Sequence, residues 1–176
     1  MNRFSHVLER LLEWFLMLLM VGLTAIVIIS VVYRKFDASL SWYDEVASIT
    51  LAWITYYGGA LAVLKRKHIG FDSVLLAIPM PARMYAAVFA ELVFLGFFVL
   101  LAWAGWQVLL VLEGDTLVSL RWVPVQLTQS VIPVGAVLFI LCELISAPAY
   151  LRMVGSGVSA EHAEIEAEIE AEMQRT

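Results

Sequence analysis

The sequence predicts an all-α membrane protein with four transmembrane helices, both termini in the cytoplasm, and short amphipathic helices at the interface. Three observations lead there. Hydrophobic residues make up 62% of the 176 positions and mean hydropathy is +0.87, whereas a soluble domain is roughly half apolar. Apolar blocks near 14–32, 46–64, 84–112 and 125–147 are each close to the ~20 helical residues that cross about 30 Å of hydrocarbon, and they lack the alternation of transmembrane strands. Finally, Lys and Arg are unevenly placed. The N-terminus (Arg3, Arg10), the middle loop (Lys65, Arg66, Lys67, Arg83) and the C-terminus (Arg152, Arg175) hold eight, and the other two loops (Arg34, Lys35, Arg121) hold three. The positive-inside bias then puts both termini and the middle loop on the cytoplasmic side. Residues 1–157 form one membrane domain, and 158–176 an acidic cytoplasmic tail.

Residues 1–13 are amphipathic, with Phe4, Val7, Leu8, Leu11 and Leu12 on one helical face. They read as an interfacial helix, with a docking arm for a partner as the alternative; a secretory signal is unsupported, since no small-residue cleavage site follows. The first span, 14–32, has no charge, and its polar residues Thr24 and Ser30 can bond within their own helix. Arg34 and Lys35 follow on the outer side, where Asp37, Asp44 and Glu45 are near enough in sequence to neutralise them.

The stretch from Ser41 to Asp72 organises the rest. Ser41 with Asp44 three residues on resembles a capping box, and Asp44 and Glu45 fall in a first turn where the helix dipole favours carboxylates. Glu45, Ser48, Ala52, Thr55, Gly59 and Ala62 recur at three- and four-residue spacing. Such a small-residue stripe lets membrane helices approach closely, either within this chain or against another subunit. Lys65, Arg66 and Lys67 supply cations at the opposite end, with Gly70 as the stop. His68 is a lone interfacial histidine with no second histidine or cysteine nearby to complete a metal site. Residues 71–79, too short to cross and closed by Pro79 and Pro81, read as an interfacial segment, with Pro81 suited to start the third helix.

Glu91 and Glu143 are intramembrane carboxylates, which makes them functional candidates. Both lie toward the cytoplasmic side, away from the midplane where transporters place coupling sites. Pairing with Lys65–Lys67, Arg83, Arg152 or a partner's cations is the preferred reading. Gln107, Gln126 and Gln129 are placed to hydrogen-bond between helices, and Trp103, Trp106 and Trp122 bracket the outer loop as an aromatic belt. Pro133 with Gly135 should interrupt the fourth helix.

Composition excludes several classes. The net charge of −5 resides in the tail, where six glutamates between 161 and 172 face Arg175; the remainder is balanced, with no basic patch for nucleic acid. The one cysteine, Cys142, lies inside a span, so there is no disulfide framework or thiolate metal site. Haem ligation requires histidines within spans, and His6, His68 and His162 all fall outside them. No nucleophile–base set or phosphate loop suggests an enzyme, and no cofactor is implied.

Taken together, Ser41-Trp42, Asp44-Glu45, Gly58-Gly59-Ala60, His68-Ile69-Gly70-Phe71-Asp72 and Ile132-Pro133-Val134-Gly135, in that order and spacing, resemble the small membrane (Q-type) subunit of the tripartite ATP-independent periplasmic (TRAP) transporters. The likeness covers about Arg34 to Glu143; the acidic tail departs from it, and Glu45 matches better than Asp44. It implies a scaffold role in the bacterial inner membrane beside a large elevator-type membrane subunit that carries the sodium and substrate sites. A periplasmic substrate-binding protein would deliver organic acids such as C4-dicarboxylates. Trp42, Asp44 and Glu45 would lie at the periplasmic docking face, and Lys65, Arg66, Lys67, His68 and Asp72 would anchor the cytoplasmic face. The competing reading is a self-sufficient ion-coupled transporter using Glu91 or Glu143.

Overall fold

A computed structural model describes residues 3–38, 40–65 and 78–156, together with Met173. Its helices are α1 (Arg3–Lys35), α2 (Tyr43–Leu64), α3 (Ala82–Val111), the short α4 (Val125–Gln129) and α5 (Val131–Ser156). Four helical stretches are long and apolar enough to cross a membrane, the last running through α4 and α5. Among the described residues β-structure is limited to one isolated bridge, between Thr116 and Pro124.

The helices form a row, α1–α2–α5–α3, in which α5 packs on both α2 and α3, and α2 on α1. Burial follows that order: 44% of the most apolar window of the fourth span is buried, against 6% in α1 and in α3. Side-chain pairings fix the directions. Phe15 meets Tyr57 at 5.0 Å and Lys65 reaches Glu9, so α1 and α2 are antiparallel. Tyr56 lies against Gly135, and Phe139 against Gly59, so α2 and α5 are parallel. Gly105 faces Pro133 and Gly155 faces Met84, so α5 and α3 are antiparallel.

Phe139 is the hub of the row. Its ring stacks on Phe98 at 4.3 Å and 13° and its tip occupies the space that a side chain at residue 59 would need. Leu12, Ala60, Val63, Leu64 and Cys142 complete the buried cluster with it. With lipid outside, burial of apolar surface does not drive this association; close contact does. Glycines at the crossing points therefore have a direct structural use.

Several local expectations change. The predicted interfacial helix and first span are one continuous helix, α1. It ends in a Schellman motif: Asp37 takes a left-handed φ of 55°, while Ala38 N–H bonds Tyr33 O and Asp37 N–H bonds Arg34 O. Ser41 does not cap α2, which begins after Trp42 with no side-chain cap bond. The fourth span breaks at Ser130, between α4 and α5, and Pro133 sits in the first turn of α5. Proline cannot donate to Gln129 O four residues back, so the turn before it loses its ladder. Trp53 Nε1–H on α2 donates to the adjacent carbonyl of the same turn, Thr128 O, at 3.2 Å, a bond that lipid could not supply. Gln126 Nε2 donates to Leu109 O at 2.9 Å, one of the unpaired carbonyls at the end of α3; this is the interhelical role expected of that glutamine.

Candidate partner-docking surfaces

The row has two chemically different ends, named here for Glu45 and Lys65. At the Glu45 end, residues 112–124 form a folded loop. Gly114 turns it with a φ of 91°, a left-handed value that glycine adopts without steric cost. Leu117 N–H bonds Val123 O, and Val125 N–H bonds Asp115 O. The Glu45 carboxylate reaches across to this loop from the first turn of α2. It accepts from Val118 N–H at 3.1 Å, from Ser119 N–H at 3.0 Å and from the Ser119 hydroxyl.

This arrangement is a latch. Two successive backbone N–H groups and one hydroxyl converge on one carboxylate, tying loop to helix across 73 or 74 residues of chain. Glu45 is therefore occupied within its own chain and not an idle surface charge. What the latch presents outward is Val118, 89% exposed, and Trp122, 82% exposed. Asp44 is exposed beside it and Trp42 half-buried. Sequence reasoning finds Glu45 but misses Ser119, because a lone serine in Val-Ser-Leu carries no pattern.

The expected neutralisation of Arg34 by the nearby acids is not what the structure shows. Arg34 Nη2 donates to the Tyr43 hydroxyl at 2.6 Å, and its guanidinium lies 5.7 Å from the centre of that ring. The same contact ties the end of α1 to the start of α2.

At the Lys65 end, Lys65 is the C-cap residue of α2. Its ammonium bonds Glu13 and lies 3.1 Å from Glu9, both on α1. The bond to Glu13, then that to Glu9, raises the Lys65 pKa above the ordinary lysine value. Arg66, Lys67, His68 and Asp72 lie outside the described residues, as do the interfacial segment through residue 77 and the acidic tail apart from Met173.

The small-residue stripe on α2 divides. Gly59 receives Phe139, and Ala52 is half-buried. Ser48 and Thr55 are exposed, their hydroxyls bonded back to Asp44 O and Leu51 O. Glu91 is half-buried and Glu143 is 3% exposed. Neither is an isolated charge, since each has an interaction partner. Among the described residues no group of three or more His, Cys, Asp or Glu side chains could hold a metal ion.

No individual curated protein matches the chain. The model of the family described as "Tripartite ATP-independent periplasmic transporters, DctQ component" matches residues 23–147, a range that includes the latch, the Lys65 cap and the broken fourth span. A multi-pass membrane chain with this match is a transporter component, and it belongs to the DctQ family of small TRAP transporter membrane subunits.

Proposed function

We propose that this chain is the static scaffold of a sodium-driven organic-acid transporter of the bacterial inner membrane. The observation that carries the reading is the row of helices. Among the described residues a row with α1 and α3 at its ends surrounds no axis along which a substrate could pass, which supports placing the moving transport path in a second, larger membrane subunit. The row widens that subunit's footprint in the bilayer and resists being dragged with its elevator motion.

In this reading the Glu45 end faces the periplasm and the Lys65 end the cytoplasm, in agreement with the Lys and Arg bias. The loop held by Glu45 is the platform for the substrate-binding protein. Val118 and Trp122 offer apolar contact on it, with Trp42 and Asp44 at its edge. Pinning the loop before the partner arrives lowers the ordering cost of binding. Glu45 thus acts through the loop and not by touching the partner. Glu91 and Glu143 serve the fold and its assembly, and the chain catalyses no reaction.

The test is affinity purification of the chain from membranes in which it is expressed with its chromosomal neighbours, followed by mass spectrometry. Recovery of a large multi-span membrane protein is the expected result. Sodium-driven uptake by this chain alone in proteoliposomes would overturn the scaffold role. Sidedness is read separately on a Cys142→Ser background, with single cysteines at Ser119 and Met153 challenged by a membrane-impermeant maleimide. Labelling of the first and protection of the second in intact cells stripped of their outer membrane is expected.

A further inference from the structure

We propose that Lys67 lays its ammonium on the Glu143 carboxylate and so docks the segment joining α2 to α3 against α5. Glu143 is 3% exposed and lies within the fourth span, where an unpaired carboxylate is strongly unfavourable. It has an interaction partner. The pairing rests on the structural role given to Glu143 above and supplies its counter-charge.

Three of the cations that the sequence offers as counter-charges are set aside by geometry. Lys65 is engaged by Glu9 and Glu13 on α1. Glu143 follows Phe139 by about one turn, and Phe139 stacks on Phe98, so the carboxylate is level with Phe94, about 16 Å along α3 from Arg83. Arg152 lies nine residues beyond Glu143, about 14 Å on and half a turn round α5, and it is exposed. Arg10 on α1 is also exposed, two residues before Leu12 and facing away from the cluster that Leu12 joins. Of the offered cations Arg66 and Lys67 remain, both in the segment 66–77 outside the described residues.

The register of α2 favours Lys67. Tyr56 lies against Gly135 and Gly59 against Phe139, so Glu143 is level with Val63 and Leu64, where α2 ends. Position 67 follows Val63 by four residues and Ala60 by seven, the spacing of one helical face. Ala60 and Val63 are buried in the cluster with Phe139 and Cys142 of α5. Position 66 instead follows Thr55 by eleven residues and Ser48 by eighteen, continuing the exposed face. One further turn carries position 67 about 5 Å past the level of Glu143, with the two axes ~8–10 Å apart. Because α2 and α5 are parallel, both side chains lean toward the Glu45 end, and the long flexible stem of lysine leans further, back to the carboxylate. The pairing fastens the connection between α2 and α3 to α5, the helix on which both pack. With Glu45 holding the 112–124 loop, a carboxylate then ties a connection to a helix at each end of the row.

Hydrogen exchange of the full chain in mild detergent, read on peptides covering residues 66–77, tests this. Glu143→Gln and Lys67→Met should each speed exchange there about tenfold, the size of one charge-assisted hydrogen bond, while the amides of α3 stay protected. The double variant should be no faster than the faster single, because either loss alone releases the segment. Lys67→Arg keeps the charge and should keep the protection, and Arg152→Gln should exchange as wild type does. If Glu143→Gln does not fold, Lys67→Met decides, since it alters no residue of a spanning helix. Exchange is read without transport, so refutation of the scaffold role would not change these outcomes. Unprotected wild-type amides, or wild-type exchange in Lys67→Met, would overturn the proposal. So would a double variant whose acceleration is the product of the two singles. Loss of a co-purifying membrane protein from Glu143→Gln with exchange in 66–77 unchanged would also overturn it, in favour of a partner's cation.

Discussion

Replacing Gly135 with alanine tests whether close approach of α2 and α5 holds the row together. A Cβ at Gly135 would lie 2.8 Å from Tyr56 Cδ1, 3.0 Å from its Cβ and 3.2 Å from its Cγ. Carbon atoms in good contact are about 3.5–4.0 Å apart, so the helices must separate by about 0.5–1 Å there. Tyr56 Cβ is fixed to the backbone, and a rotamer change cannot move it away. Overpacking of this kind costs about 1–3 kcal/mol. Alanine also favours helix over glycine by up to ~1 kcal/mol, and a second glycine removes that confounding gain. Gly96 on α3 has nothing within 4 Å of its Cβ position, so Gly96→Ala carries the propensity gain alone. Reversible unfolding in mixed micelles of increasing SDS fraction, followed by circular dichroism, should place Gly135→Ala about 1–3 kcal/mol below Gly96→Ala. Equal stability of the two variants would refute the argument, because it would mean that the crossing has slack the structure does not contain.

Glu45→Ala should release the 112–124 loop: hydrogen exchange at the Val118 and Ser119 amides should accelerate while the amides of α2 stay protected. In the assembled transporter the same change should weaken uptake or assembly more than removal of the tail from Glu161 onward; the reverse order would sink the role given to the latch. Trp53→Phe keeps the ring but leaves Thr128 O without its donor, and should cost about 0.5–2 kcal/mol in the SDS titration. Lys65→Gln should lower stability by loosening α1 from α2. Because the folded-state pKa of Lys65 is raised, its contribution is full below the unfolded lysine value of about 10.4 and is lost only as pH rises through the higher folded value. The gap between wild type and Lys65→Gln should therefore be the same at pH 7 and pH 9 and close in strong alkali. Thr55→Trp on the exposed face of α2 should block co-purification of the large subunit, and Val137→Trp on the exposed face of α5 should not.

The spanning helices were legible because apolar length against bilayer thickness is a one-dimensional property that needs no tertiary information. Their lateral order was not, since pairing in lipid depends on surface relief. The stripe through Ser48, Ala52, Thr55 and Gly59 marks α2 as a packing helix without saying that Gly59 is filled from within the chain, by Phe139, while Ser48 and Thr55 stay exposed. Pro133 announces a break in the fourth span, but its effect appears three residues earlier, at Ser130, because proline acts on the carbonyl behind it. That Trp53 would serve the freed turn follows only once α2 and α5 are known to be parallel neighbours. Glu45 could be singled out as a carboxylate at a helix start. Its partners, Val118 and Ser119, lie beyond an entire span in sequence, and two of the three donors are groups on the backbone, which carry no residue signature.

Exposed apolar surface has a different meaning here than in a soluble protein. The outward faces of α1 and α3 carry Trp14, Leu18, Val21, Phe89, Leu92 and Leu100, all more than half exposed, and in water such faces would mark docking sites. Lipid tails solvate them as well as another protein would, so they do not identify the side that meets the large subunit. Relief does. Val134, Val137, Leu141 and Leu144 give α5 a bulky exposed ridge, which acyl chains can wet at no packing loss. On α2, Ser48 and Thr55 are exposed on either side of Leu51, with their hydroxyls already satisfied by their own helix, so a neighbour meets one bulky side chain between two low positions that have no polar group to desolvate. A lipid tail gains little at Ser48 and Thr55, whereas a second helix that takes Leu51 between its own side chains gains close contact over both. The α2 face is thus where a protein partner has the advantage over lipid. The Glu45 latch sits at one end of that same helix, so under the proposed function the docking platform and the assembly face share one rigid support.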